Sequence, residues 1–160
     1  MSKSCPLDPL IVARRARRDG AFTVVTQCRQ RVAECEATCA RIQARIDALE
    51  QERRSGRERM SAIAAAGGSP LELGRVDDRL GLLALRVGEV CAELQAAERG
   101  LEVARNDLAE ALTVFFKAEA KLDALNEQKA TWLREMAQRH ELREEAMTDD
   151  LIVHRVANAR

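Results

Sequence analysis

From Val25 to Ile63 one face of the chain repeats at alternating steps of three and four residues. The positions are Val25, Cys28, Val32, Cys35, Cys39, Ile42, Ile46, Leu49, Arg53, Gly56, Met60 and Ile63. A mostly apolar stripe with that period is the seam of a coiled-coil helix, and it needs a partner helix to cover it. A second seam supplies the partner: Leu80, Leu83, Val87, Val90, Leu94, Ala97, Leu101, Ala104, Leu108, Ala111, Phe115, Ala118, Leu122, Leu125, Lys129, Trp132 and Met136. Counted backward, the first seam passes through Ala21, Arg18, Arg14 and Ile11. The second continues into Arg139 and Arg143, where its apolar character stops.

Punctuation marks lie between and outside the two stripes. Asp8-Pro9 is a helix start, since Asp can cap free amides and Pro at the first helical position loses no hydrogen bond. Gly67-Gly68 tolerate the conformation that ends a helix, and Ser69-Pro70-Leu71-Glu72 reads as a capping box opening the next. The expected organisation is all-α: a long two-helix antiparallel coiled-coil hairpin with short disordered ends. Residues 1–8 form a flexible N-terminus, 9–66 the first helix, 67–69 the turn, 70–147 the second helix and 148–160 a flexible tail. Gly20 lowers helix propensity by about 1 kcal/mol relative to Ala, so the first helix is expected to fray or bend near its entry.

Folding at the turn with Ile63 beside Leu80 sets a register in which every a position meets a d position. It places Met60 with Leu83, Gly56 with Val87, Ile46 with Ala97, Cys28 with Phe115 and Val25 with Ala118, and several layers match large with small side chains. A parallel homodimer, or a dimer of hairpins, is the competing arrangement for any heptad chain.

Composition agrees with a helical rod. Charged residues make up 32% of the chain and aromatics 2%, too few aromatics for an ordinary globular core. Net charge is zero on 26 basic and 26 acidic side chains, so no global attraction to nucleic acid or an anionic membrane is expected. No run is long and apolar enough to span a bilayer and no secretory signal stands at the start, which points to a cytoplasmic protein. Five cysteines, Cys5, Cys28, Cys35, Cys39 and Cys91, lack a disulfide-framework spacing and fit a reducing compartment.

Candidate chemistry is sparse. Cys35 and Cys39 could offer two zinc ligands from one helical face, but nothing across the seam completes a tetrahedron, so Cys28, Cys35 and Cys39 read as small, inert seam residues. Cys91, just off the seam, is the better candidate for a reactive thiol. His140 and His154 are the two histidines, and no catalytic grouping, phosphate loop or cofactor motif is present, so no enzyme activity, cofactor or metal is expected. The main local charge is Arg14, Arg15, Arg17 and Arg18, expected to be partly neutralised by Asp123 and Glu127 and suited to an acidic protein surface. Nucleic acid is the weaker reading, because Phe22 alone could stack nearby. Phe116, beside the seam, and Leu151-Ile152-Val153, beyond the coil, are exposed apolar groups that could anchor a partner. With Arg14, Arg18, Lys129, Arg139 and Arg143 on or near the seams, the end carrying both termini is expected to be splayed.

The Arg-rich start, the hairpin turn at Gly67-Gly68-Ser69-Pro70 and a longer second helix ending in Arg139-His140-Glu141-Leu142-Arg143-Glu144-Glu145 resemble the FliJ, YscO and SctO type central stalk proteins of flagellar and virulence type III secretion systems. The resemblance implies a cytoplasmic, non-enzymatic rod like the axle of a rotary ATPase, at the cytosolic face of a secretion apparatus. Its implied partners are the hexameric secretion ATPase, an export-gate protein and export chaperones, with membrane association only through them. Arg14, Arg15, Arg17, Arg18 and Phe116 are the candidate contact residues. A general coiled-coil adaptor, and more remotely a nucleic-acid-associated protein, are the alternatives.

Overall fold

The structure, a computed structural model, describes the backbone of residues 5–157 and the side chains of residues 5–149. Among the described residues there are two helices, α1 (Asp8–Ala65) and α2 (Pro70–Ala157), packed against each other, and no strand. Both stripes lie at the contact: every seam position from Ile11 to Ile63 and from Leu80 to Met136 is buried or half-buried. Both helices are unbroken, α1 running through Gly20.

The turn is built as its residues dictate. Gly67 takes a left-handed φ of 71°, its N–H donates to the Ala64 carbonyl at 3.2 Å, and the Gly68 N–H donates to the Ile63 carbonyl at 2.9 Å. These two bonds satisfy carbonyls that the end of α1 would otherwise leave open. The Ser69 hydroxyl then accepts from the Glu72 N–H at 3.3 Å while the Glu72 carboxylate accepts from the Ser69 N–H at 3.2 Å, so the capping box is reciprocal.

Two compact units divide the chain. The first unit joins the start of the chain through Val24 to the residues from Leu112 on, and among its described residues the buried side chains are Cys5, Ile11 and Leu122. The second unit, Val25–Ala111, contains the turn and buries Val25, Leu83, Val90, Ala104 and Ala111. Full burial of a Val or Leu contributes about 1.5–3 kcal/mol, and most seam positions here are only half-buried, so stability is spread over many layers. Ion pairs cross between the helices of the second unit at Arg45–Glu93 (2.9 Å), Arg105–Glu36 (2.8 Å), Arg31–Asp107 (3.4 Å) and Arg79–Glu52. Each is exposed and contributes about 0–1 kcal/mol, and together they penalise a slip of register.

Four expectations are corrected. The register is one heptad tighter: a Cβ on Gly56 would sit 2.8 Å from Leu80, so Gly56 faces Leu80 and not Val87. Residues 66–69 close the turn so tightly that the first seam positions of α2, Leu73 and Val76, are already half-buried beside it. The helix does not end at Met147 but continues to Ala157, and the Thr148 hydroxyl donates to the Glu144 carbonyl. No Gly or Pro intervenes to stop it. Of the N-terminal segment expected to be flexible, residues 5–7 form a turn with Cys5 buried and the Asp8 N–H donating to the Cys5 carbonyl at 3.0 Å. The end carrying these residues is not splayed as far as Lys129, whose ammonium lies 2.7 Å from the Asp8 carboxylate. Asp8 therefore makes an ion pair within the first turn, and the Leu7 carbonyl accepts the first helical bond, from Ile11 at 2.9 Å.

Candidate functional site

The helix pairing of the first unit divides the arginine cluster between the seam, which holds Arg14 and Arg18, and the exposed surface beside it, which holds Arg15 and Arg17. Arg14 is half-buried on the seam and Arg17, three residues on, is exposed beside it. Arg14 and Arg17 line one side of an open groove of about 390 Å³, Lys117 and Lys121 the other, with Ala21, Val114 and Ala118 forming an apolar floor. Among the described residues none of these four cations takes part in an ion pair. The expected neutralisation by Asp123 and Glu127 is absent from that same set of pairs, and the groove gathers positive charge from both helices instead.

Arg15 and Arg18 are not part of the groove. Arg15 lies close enough to Lys129 for its charge to oppose the proton there. Asp8 prevails: hydrogen bonding and charge from Asp8 hold the Lys129 ammonium above its ordinary value of 10.5. Arg18 is half-buried, and its Nε stands 3.3 Å from the Asp19 carboxylate, out of line for a hydrogen bond. Long stems let such cations lie on an apolar seam while the charged heads reach its edge.

Phe116 is 59% exposed, as expected from its place beside the seam. Its ring packs on Phe115 at 5.5 Å between centroids, and Phe115 packs on Phe22 at 5.8 Å. All three phenylalanines of the chain thus form one tilted cluster, and Phe22 is 50% exposed at its far end. Tilted pairs of this kind add about 0.5–1.5 kcal/mol beyond area burial.

No disulfide joins the cysteines: Cys5 is buried, and Cys28, Cys35, Cys39 and Cys91 are half-buried. Among the described residues no group of three His, Cys, Asp or Glu side chains is placed to hold a metal ion. His140 pairs with Glu144 at 3.4 Å one turn away, while the side chains of Leu151, Ile152, Val153 and His154 lie outside the described residues. No described helix is long and apolar enough to cross a membrane.

Comparison with known proteins places this architecture. The sequence matches the YscO-like protein family over residues 2–154. The chain belongs to the YscO-like family. The membership agrees with the stalk-protein resemblance carried by the Arg-rich start and the hairpin turn, and it makes this a protein related to type III secretion. A solved structure of a proposed YscO homologue, CT670 from Chlamydia trachomatis, superposes with a TM-score of 0.79 at 15% identity, covering 98% of each chain. At that identity the likeness speaks for the fold. No match is found among curated protein sequences.

Of the candidate contact residues, then, Arg14 and Arg17 line the groove, and Arg15, Arg18 and Phe116 do not. Lys117 and Lys121 were missed in the sequence because they stand about a hundred residues away from Arg14 and Arg17. Their spacing of four on a seam flank was the available signal.

Proposed function

We propose that this YscO-like chain is the non-enzymatic stalk of a type III protein secretion apparatus, engaging the hexameric secretion ATPase to promote its assembly or activity and coupling it to the export gate. The observation that carries this reading is the groove of Arg14, Arg17, Lys117 and Lys121, an unpaired basic surface with an apolar floor in the unit that contains the start of α1. Such a surface suits an acidic, partly apolar sleeve: charge steers the encounter, and the floor supplies area that water leaves on contact. The family membership supports the setting. Location at the cytosolic face of the apparatus, with membrane association only through partners, belongs to the same proposal.

The test is ATP hydrolysis and hexamer formation by the cognate secretion ATPase with and without the purified chain. Stimulation is expected, and R14E/R17E should lower it at least several-fold while helicity by circular dichroism is unchanged. A competent ATPase that neither binds nor responds to the wild-type chain rejects the stalk reading.

A second reading, an adaptor for export chaperones, is favoured by the Phe22–Phe115–Phe116 cluster, since exposed aromatics are the common anchors of partner surfaces. In that case Phe116→Ala abolishes chaperone capture and R14E/R17E leaves it intact.

A further inference from the structure

The groove is one end of a longer stripe. Along α2 the exposed positions Val114, Lys117, Lys121, Ala124, Gln128, Thr131, Glu135, Gln138, Leu142, Glu145 and Asp149 follow alternating steps of three and four, so they form a second heptad face on the flank of the first. All of them belong to the first unit. The stripe is basic at Lys117 and Lys121, nearly neutral through its middle, and acidic at Glu145 and Asp149. Among the described residues neither Glu145 nor Asp149 is in an ion pair, and neither are the groove cations. From residue 137 to 149 every side chain is exposed.

We propose that a second copy of this chain packs antiparallel along the stripe, each copy laying its 138–149 segment into the basic groove of the other. An antiparallel pair sets a positions against d positions, and one register matches the face from Lys117 to Asp149 with its copy. Lys117 meets Asp149 of the second copy, Lys121 meets Glu145, Ala124 meets Leu142, Gln128 meets Gln138 and Thr131 meets Glu135. The two-fold axis passes beside residue 133, so each contact occurs twice. Arg14 and Arg17 close over the incoming carboxylates from the opposite wall of the groove. The small Ala124 accommodates Leu142, which is 65% exposed in the single chain.

The distribution of charge favours this occupant over others. A uniformly acidic helix, or the backbone of a nucleic acid, would complement Lys117 and Lys121 but be repelled by Glu145 and Asp149 further along. The two ends cannot meet within one chain, because they lie on the same unbroken helix roughly 40 Å apart at 1.5 Å per residue. Few apolar side chains lie on the stripe, so the association is modest and screened by salt.

Analytical ultracentrifugation of the full chain tests it without any secretion partner. The wild-type chain is expected to dimerise with rising concentration at low salt and to dissociate as salt is added. K117E/K121E alone, and E145K/D149K alone, should each abolish the dimer, since like charges then face each other at both ends. An equimolar mixture of the two variants should restore a heterodimer, because both ends regain opposite charges. All four replaced side chains are exposed, and circular dichroism checks that helicity is retained. A wild-type chain that stays monomeric at low salt overturns the proposal. So does a dimer that survives both variants, or a mixture that stays monomeric.

Discussion

Lys129 stands where the seam of α2 calls for an apolar side chain, and Asp8 is what makes a cation workable there. The Asp8 carboxylate raises the lysine's proton affinity, so the folded chain holds that proton more tightly than the unfolded one. The pair's contribution is therefore complete below the ordinary lysine value of 10.5 and is lost as pH rises through the higher folded value. Asp8→Asn removes the partner. Thermal melts followed by circular dichroism from about pH 9 to pH 12 should show a steeper alkaline fall for the wild type than for D8N. Identical alkaline profiles would refute the role given to Asp8. Arg14, Arg18 and Arg53 show a related compromise: each occupies a seam position half-buried, with Arg53 holding Glu50 at 2.7 Å on its own helix.

At the scale of elements, the turn decides the register. Gly67 is the one described residue with a positive φ, and replacing it by Ala forces a side chain into the left-handed region at a cost of about 1–2 kcal/mol. Gly68 has a different constraint: a Cβ there would overlap the side chain and carbonyl of Ile63. Gly68→Ala should therefore destabilise more than Gly67→Ala, because the Ile63 carbonyl belongs to the bond that terminates α1. Loss of the Ser69 hydroxyl in Ser69→Ala should cost about 1 kcal/mol, the usual worth of an N-cap. Urea denaturation ranks the three, and a neutral Gly68→Ala would show that the helix end relaxes more freely than its packing suggests. The one-heptad difference between expected and observed register has its origin here, since a four-residue connection leaves no room for the unpaired first turns that Ile63 beside Leu80 would require.

For the whole molecule, the basic groove has two proposed occupants, an acidic sleeve of the secretion ATPase and the acidic 138–149 segment of a second copy. They exclude each other. E145K/D149K leaves Arg14, Arg17, Lys117 and Lys121 in place while removing the self-contact. At concentrations where the wild-type chain dimerises, this variant should stimulate the ATPase at least as strongly as the wild type, and more strongly where dimer predominates. Weaker stimulation would mean that Glu145 and Asp149 themselves contact the ring, contrary to the mutual exclusion.

Local residue patterns suffice for the two helices, their seams, the reciprocal cap at Ser69 and Glu72 and the place of the turn. Each of these depends on residues within a few positions of one another, whose spacing directly encodes which face a helix buries. The stalk-family resemblance was legible for the same reason, through the order and length of the elements. Tertiary structure alone decided that Gly56 faces Leu80, that Lys129 finds Asp8, and that Arg14 and Arg17 share a groove with Lys117 and Lys121 while Arg15 and Arg18 do not. A heptad pattern is nearly unchanged by a shift of seven residues, so local periodicity cannot choose among registers. Only closure of the chain through residues 66–69 made that choice, and with it the set of charges that stand together.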